Sequence, residues 1–116
     1  MQMKKITVFF YQNQAGKEPV KDWLIALPVQ DRKVIGQEVK TVEFGWPLGM
    51  PLVRKMEKDL WEVRVDLEDG RIGRVLFTVA GRKMILLHGF VKKSQKTPKP
   101  DLAIARKRKN EVLNNG

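Results

Sequence analysis

The chain has 116 residues, a formal net charge of +10, 42% apolar residues, no cysteine and one histidine. This length and composition predict one globular domain spanning residues 1–116 rather than a disordered tail. Without cysteine the chain cannot form disulfides or thiolate metal sites, and one histidine makes a structural zinc site implausible. No apolar run is long enough for a signal peptide or a membrane span, so we expect a cytoplasmic protein without a membrane partner.

Most of the positive charge is concentrated in the last third of the chain. Residues 82–109 contain ten Lys or Arg and one acid, Asp101, whereas residues 1–81 are nearly balanced. Such an asymmetry favours a polyanionic partner, either a nucleic acid or an acidic protein. The alternative is a solvated basic face with no dedicated partner.

The first half of the sequence predicts a strand followed by two helices. The segment ITVFFY (6–11) is β-branched and aromatic, as strands are. A helix is predicted from Pro19, which suits a first helical turn, to Pro28, because apolar residues recur at helical spacing between them. Asp31 can cap a second helix that ends at Gly45. The two helices would form a helical hairpin.

The second half predicts three antiparallel strands and a final helix. The glycines and prolines of residues 45–59 indicate a loop. Strands are predicted at LWEVRV (60–65), RIGRVLFTVA (71–80) and KMILLHGFV (83–91), and RKRK (106–109) would cover most of the outer face of the final helix. The order β-α-α-β-β-β-α predicts an α+β fold in which the hairpin and the C-terminal helix pack on a small, mostly antiparallel sheet.

The parity of the first β-hairpin brings two arginines together. Its buried face should consist of odd-numbered residues, namely Trp61, Val63, Val65, Val75, Phe77 and Val79. Opposed residues then sum to an even number, which an odd loop such as 68–70 or 69–71 provides. Arg64 and Arg74 therefore lie nearly opposite each other on the other face, where they repel unless an anion lies between them. We expect a phosphate or a partner's carboxylate at this place.

The segments LWEVRV, GRVLFTV and ILLHGFVKKSQKTPKP closely resemble the RelE/ParE superfamily of bacterial toxins, and in particular its HigB-like, phage-derived branch. The resemblance covers almost the whole chain. It implies the toxin of a type II toxin–antitoxin system, a ribosome-dependent mRNA endonuclease that inhibits translation. It also implies cleavage without a metal or cofactor, by attack of the substrate's own 2′-hydroxyl. The implied partners are mRNA on the ribosome, ribosomal RNA and a co-expressed helix-turn-helix antitoxin.

The resemblance also implies catalytic residues. Arg64 and Arg74 match the superfamily's catalytic strand arginines, whose planar guanidinium groups would stabilise the charge of the phosphorane. Lys92 and Lys93 would stabilise the phosphate or protonate the leaving oxygen, and Lys96 would position the substrate. Relatives often carry a tyrosine near the C-terminus that stacks on the base, whereas the only tyrosine here is Tyr11.

The identity of the general base stays open between two residues. His88 is the only side chain in the segment with an unperturbed pKa near neutrality, but it is predicted to share an apolar face with Met84, Leu86 and Phe90. A structural histidine is the alternative there. Glu62 shares a face with Arg64 and would be either a base or a salt-bridge partner.

Further cations are candidates for binding RNA or the ribosome. They are Arg54, Lys55, Lys58, Lys96, Lys99, Arg106, Lys107, Arg108 and Lys109. The run RKRK would bind ribosomal RNA through counterion release or receive acidic groups of the antitoxin. Trp23 and Trp61 are expected in the core, and Trp46 either in the core or in contact with a substrate or partner.

Two other functions compete with the ribosome-dependent nuclease. A ParE-type toxin on the same fold would poison DNA gyrase by binding, without nuclease chemistry. A basic module that binds nucleic acid without cutting it is the third reading. Convergence of Arg64, Arg74 and the lysines of residues 92–96 favours the nuclease, because a toxin that only binds protein has no need of it.

Overall fold

The computed structural model describes residues 3–115, which form three α-helices and one five-stranded sheet. The elements are β1 (Thr7–Phe10), α1 (Pro19–Ala26), α2 (Val29–Gly45), β2 (Val53–Glu57), β3 (Leu60–Asp66), β4 (Ile72–Ala80), β5 (Lys83–Lys92) and α3 (Lys99–Asn115). The strand order is β1-β5-β4-β3-β2, and only the β1–β5 pairing is parallel. The predicted α+β fold with a mostly antiparallel sheet is confirmed. None of these helices has the length and apolar character needed to cross a bilayer.

The sequence prediction missed β2, which lies inside the segment predicted as a loop (45–59). Val53 pairs with Val63 of β3, and the pairing becomes irregular after Lys55. β2 is an edge strand in which Val53 is buried, while Arg54 and Lys55 are exposed. Such a strand has no alternation of apolar and polar residues, so the signal that identified the other strands was absent.

Helices α1 and α2 cover one face of the sheet. α1 packs on β5 and β1, whereas α2 packs on β3, so the two helices of the predicted hairpin rest on different strands. Trp46 contacts Trp61 edge to face with 5.0 Å between ring centroids, and Trp61 stacks on Phe77 at 5.9 Å. Trp61 is therefore part of the core as predicted, and of the two interpretations of Trp46 the structure supports core anchoring.

Helix α3 covers the opposite face. Its Ala105 packs in a second apolar cluster with Leu60, Leu76, Leu87 and Phe90 of the sheet. Helices on both faces bury every residue of β4 from its first to its seventh position. The even-numbered side chains of β3 and β4 point towards this α3 face, which makes it the face on which the arginines lie.

A bulge in β5 changes which of its side chains share a face. Leu87 is an extra residue between Leu86 and His88 in the pairing with β4. Leu86 and Met84 consequently belong to the core under α1 and α2, whereas His88 stacks on Phe90 on the α3 face. The prediction that His88 shares a face with Met84 and Leu86 is therefore wrong, and only its neighbour Phe90 was placed correctly.

Glycine after the histidine has a packing reason. Trp23 of α1 lies directly over Gly89, and a Cβ atom at Gly89 would be 2.3 Å from the indole ring. Any side chain at this position would displace the helix, because ring atoms in a core cannot move independently. The contact also places Trp23 against the core, as predicted.

The start of α2 differs from the prediction. The helix begins at Val29, and Asp31 lies in its first turn instead of capping it. The Asp31 carboxylate accepts two hydrogen bonds from the Arg71 guanidinium, at 2.8 and 3.1 Å. These bonds hold the pKa of Asp31 below its usual value. The pair ties the start of α2 to the turn that precedes β4.

Candidate functional site

The register of the central strands places Arg64 directly opposite Arg74. This confirms the parity argument. Arg54 of β2 lies opposite Glu62 of β3, so it faces the same side of the sheet. We call Arg54, Arg64, Arg74 and Glu62 the arginine cluster. It lies beside residues 93–98, the basic loop, which connects β5 to α3.

Arg74 is the most buried arginine of the arginine cluster, with 0% of its surface exposed. Its Nη1 donates to the backbone carbonyl of Lys96 at 2.6 Å, and its Nη2 donates to the carbonyl of Ser94. The guanidinium also lies 5.6 Å from the centroid of the Phe90 ring. Backbone carbonyls of the basic loop therefore occupy the place where the sequence predicted an anion. Arg74 fastens this loop to the sheet.

Glu62 is buried beneath the same loop. The Thr97 hydroxyl donates to its Oε2 at 2.6 Å, and Nε of Arg64 lies 3.7 Å from its Oε1, which has no hydrogen-bond partner. Burial lowers the pKa of Arg74, the charge of Glu62 opposes this effect, and Arg64 adds to it. Of the two interpretations of Glu62, these contacts support the buried counter-ion rather than a base that is open to substrate.

Arg64 is the accessible cation of the pair. Its side chain is 15% exposed, and its Nη2 donates to both the backbone oxygen and Oε1 of Gln95 at 3.0 Å. Among the described residues its Nη1 has no partner. Arg64 and Gln95 line a groove of about 510 Å³, which we call the Arg64 groove. A ligand can therefore reach this guanidinium without displacing the basic loop.

The lysines near the basic loop are exposed. Nζ of Lys92, at the end of β5, lies 3.5 Å from Asp101, and Lys93, Lys96 and Lys99 are exposed at their side chains. Reasoning from sequence selected these lysines but missed the polar residues between them. In the segment KKSQKT (92–97), uncharged polar residues interrupt the lysines, and two of them, Gln95 and Thr97, bind the arginine cluster. This interruption is the feature of the sequence that could have indicated them.

His88 is bound by an acid on α3. Its Nε2 lies 2.7 Å from Oδ1 of Asp101, and its ring stacks on Phe90 with 5.8 Å between centroids. Asp101 lies in the first turn of α3, so the contact joins β5 to the start of that helix. Asp101 was not selected from the sequence, although it is the only acid between residues 82 and 109.

Half of the RKRK run attaches α3 to the β2–β3 hairpin. Arg106 donates to both carboxylate oxygens of Glu57, with contacts of 2.8 and 3.0 Å to Oε1. Lys109 is buried, and its Nζ donates to the backbone carbonyl of Lys58 at 3.1 Å. The prediction that RKRK lies on the outer face is therefore wrong for Lys109, and Arg106 is already paired.

The other half of RKRK is divided between the core and the solvent. Arg108 donates from Nη1 to the carbonyl of Leu87 in the bulge at 2.9 Å and lies over the ring of Tyr11. Tyr11 in turn donates to the carboxylate of Glu111. These groups line a second groove of about 460 Å³, but they are bound to each other or to the backbone. Lys107 alone is exposed and has no partner among the described residues.

The cations of the β2 region do not form one surface. Arg54 belongs to the arginine cluster, whereas Lys55 lies opposite Trp61 and therefore faces the α1–α2 side. Lys58 is exposed in the turn between β2 and β3, at the far end of β3 from Arg64. Strand alternation therefore separates Arg54 from Lys55, and RNA binding by these three cations stays a prediction.

Known proteins resemble this chain at the level of a family. A family model described as Phage derived protein Gp49-like (DUF891) matches residues 22–110, from α1 into α3, and thus spans the arginine cluster and the basic loop. A search of curated proteins found no match. The matched family is one of RelE-like toxins of toxin–antitoxin systems, which implies an antitoxin partner. The chain therefore belongs to the phage-derived Gp49-like family of toxins, within the RelE-like superfamily.

Proposed function

We propose that this toxin is a ribosome-dependent, metal-independent mRNA endonuclease of the HigB-like branch that acts in the cytoplasm. The proposal rests on the environment of the Arg64 side chain. Its guanidinium is only partly buried, leaves Nη1 without a partner among the described residues and lines a groove together with Gln95 of the basic loop. A fixed cation with a free donor is what a phosphate undergoing attack requires.

In the proposed reaction one bond forms, one bond breaks and two protons are transferred. The substrate's 2′-oxygen attacks the neighbouring phosphorus, the bond from phosphorus to the 5′-oxygen breaks, and a 2′,3′-cyclic phosphate remains. Arg64 donates from Nη1 to a non-bridging oxygen, where negative charge increases in the transition state. Lys92 or Lys93 at the end of β5 supplies the proton to the departing 5′-oxygen. The 2′-hydroxyl proton passes to solvent water, because Glu62 and His88 are both held by other groups.

Arg74 acts in this proposal by positioning and not by touching the substrate. Its two hydrogen bonds to the carbonyls of Ser94 and Lys96 hold the basic loop against the sheet. Thr97 does the same through Glu62. Substrate-binding groups on the loop, such as Gln95, are thereby fixed relative to Arg64, and such preorganisation is a large part of catalysis by electrostatics.

His88 has a related role in the proposal. Asp101 contacts Nε2 of His88 at 2.7 Å and Nζ of Lys92 at 3.5 Å. The histidine therefore fixes the carboxylate that orients Lys92, as a second layer of contacts orients groups in other active sites. We assign His88 to positioning Lys92 rather than to the role of general base.

The exposed cations are proposed to bind ribosomal RNA. Lys93, Lys96 and Lys99 extend the positive surface beyond the arginine cluster, and Lys107 lies on the exposed side of α3. Neutralising RNA phosphates releases counterions, so the affinity for the ribosome should decrease steeply with salt. Arg106, Arg108 and Lys109 are less available for RNA, because each already binds another part of the protein.

A second candidate is a ParE-type toxin that poisons DNA gyrase by binding. One observation favours it: the basic loop occupies both Nη groups of Arg74, and Glu62 is bound to Thr97. A cluster that serves only to hold a loop would suit a surface that recognises a protein.

Primer extension on a reporter mRNA in a purified translation system tests the proposal. We expect cuts within codons that require both ribosomes and the toxin. Arg64→Ala should lower the cleavage rate by about 100-fold or more, the loss that follows removal of one transition-state donor. Arg32→Ala is the matched control, because Arg32, near the start of α2, is also partly buried but donates to the carbonyl of Ile25 in α1.

Intact mRNA with the wild-type toxin would reject the nuclease. Inhibition of DNA supercoiling by purified gyrase would then be measured with the same three proteins, and its presence would establish the second candidate. Equal cleavage by the wild type and Arg64→Ala would keep the nuclease but remove Arg64 from its mechanism.

A further inference from the structure

Glu38 of α2 is a partly buried carboxylate that the proposed reaction does not use. Among the described residues no charged nitrogen of a Lys or Arg lies within 4.0 Å of its carboxylate oxygens, and none donates a hydrogen bond to them, although the chain has 23 Lys and Arg. By contrast, the carboxylates of Asp31, Glu43 and Glu57 are each paired with a cation. The Glu38 oxygens have no hydrogen-bond partner among the described residues and are not fully buried, so the carboxylate is open to a ligand that donates to it.

Glu38 lies in the wall of the Arg64 groove. Apolar side chains, among them Val34, Leu52 and Ile72, line the same groove, whose volume of about 510 Å³ suits a small molecule or one nucleotide. The groove thus combines an apolar surface for a flat ring with an acceptor at Glu38. Arg64 lies at the same groove, where it can bind an adjoining phosphate.

Gln95 adds a donor to this arrangement. Its Oε1 accepts from Arg64, so the amide is oriented and its NH2 group has no partner among the described residues. The groove therefore offers a carboxylate acceptor and an amide donor. Asp66 also lines it but is exposed, so water weakens hydrogen bonds to this carboxylate more than those to Glu38.

Guanine is the base that this set of groups matches. Its Watson–Crick edge presents two adjacent N–H donors, N1–H and N2–H, which a single carboxylate can accept together, and it carries O6 as an acceptor for an amide. Adenine, cytosine and uracil lack a pair of adjacent N–H donors. We propose that the Arg64 groove binds a guanine of the RNA substrate, with Glu38 accepting from N1–H and N2–H and with Gln95 donating to O6.

This inference rests on the proposed function only in taking the guanine from RNA, and it is tested without ribosomes or cleavage. Titration calorimetry of the purified toxin would use guanosine, inosine, adenosine, cytidine and uridine 5′-monophosphates. We expect guanosine monophosphate to bind about tenfold more tightly than the last three, the discrimination typical of a bidentate contact. Inosine monophosphate, which lacks N2, should bind with intermediate affinity.

Glu38→Gln tests the carboxylate itself. Glutamine retains the size and helix propensity of glutamate but replaces one acceptor oxygen by a donor. We expect the variant to bind guanosine and inosine monophosphates with equal affinity. Its affinity for guanosine monophosphate should be about tenfold lower than that of the wild type. Asp22→Asn is the control, since it removes the same charge from an exposed position of α1 and should bind as the wild type does.

Trinucleotides distinguish RNA from free guanine nucleotides as the source of the base. In 2′-O-methyl RNA the attacking hydroxyl is blocked, so UGU and UAU trinucleotides can be titrated uncut. We expect UGU to bind more tightly than UAU, which lacks the guanine, and than guanosine triphosphate, which lacks the phosphate on the 3′ side that would reach Arg64. Guanosine triphosphate binding as tightly as UGU would overturn the assignment to RNA. Equal affinity for all five monophosphates would overturn the guanine site, whatever the outcome of the cleavage experiment.

Discussion

Two basic regions of this toxin, similar in sequence, have different structural roles. The run RKRK of α3 places four cations in four residues, and residues 92–99 contain four lysines. In α3 three of the four bind elsewhere in the protein: Arg106 to Glu57, and Lys109 and Arg108 to backbone carbonyls. The lysines of residues 92–99 are exposed at their side chains, and among the residues that the structure describes only Lys92 of these four is paired with an acid.

The difference shows that density of charge does not define a docking surface. A cation becomes structural when another element brings an acid or an unpaired carbonyl within its reach. β2 does this for α3, because its edge position leaves Glu57 and the turn at Lys58 open beside the helix. Within residues 3–115 the basic loop has no such neighbour on its outer side. Its backbone instead binds the arginine cluster, which leaves its lysine side chains for a partner.

The largest loss of stability should follow replacement of Arg74, which binds the backbone of the basic loop. Arg74→Ala removes a buried cation and leaves Glu62 buried without it, which should lower the free energy of unfolding by about 3–5 kcal/mol. Urea denaturation followed by tryptophan fluorescence measures the change. Lys93→Ala, on the outer side of the same loop, should change stability by less than about 0.5 kcal/mol. An Arg74→Ala protein as stable as the wild type would show that the loop is not held in this way.

Two neighbouring lysines of α3 make the next comparison. Lys109 buries its aliphatic stem and donates to the carbonyl of Lys58, so Lys109→Ala should lower the free energy of unfolding by about 1–3 kcal/mol. Lys107→Ala is the matched control, because the same side chain is exposed two residues earlier and should contribute within about 0.5 kcal/mol. Equal losses at the two positions would contradict the division of RKRK into inner and outer cations.

The role of Lys109 could have been predicted from the sequence. Leu102, Ala105, Lys109 and Val112 follow the spacing i, i+3, i+7 and i+10, which places all four on one helical stripe. Treating RKRK as one outer face ignored that spacing. The register of Arg64 and Arg74 was predictable for the same kind of reason, since alternation along a strand is a strict rule.

Other features have no local signature in the sequence. The bulge at Leu87 depends on how β5 pairs with β4, and it reversed the face assigned to His88. The partners of Arg74 are backbone carbonyls, which every residue has, so no side chain could indicate them. Alternation therefore predicted which arginines converge, whereas the loop that occupies them required tertiary structure.

The affinity for ribosomes tests whether the exposed lysines of the basic loop bind RNA and the paired cations of α3 do not. Lys93→Ala combined with Lys96→Ala should weaken association with ribosomes about tenfold, and should lower the slope of log affinity against log salt by about one to two. Sedimentation with ribosomes at several salt concentrations measures both quantities. Arg106→Ala removes a cation that is paired with Glu57, so we expect its salt slope to match the wild type. A larger change of slope with Arg106→Ala than with the double variant would reverse the proposed roles.

The smallest expected effect is a change in the pKa of Tyr11, whose ring lies beneath Arg108. The hydrogen bond from Tyr11 to Glu111 raises the pKa of the phenol above its usual 10.0, burial adds to this effect, and the charge of Arg108 opposes it. Because the folded pKa is the higher one, the resulting stabilisation is complete below pH 10 and is lost as pH rises through the folded pKa. Tyr11 is the only tyrosine, so ultraviolet absorbance reports its ionisation alone. Glu111→Gln should lower the midpoint towards 10.0, whereas Lys107→Ala should leave it unchanged. An Arg108→Gln midpoint below that of the wild type would contradict the contact, since loss of the nearby cation must raise the pKa.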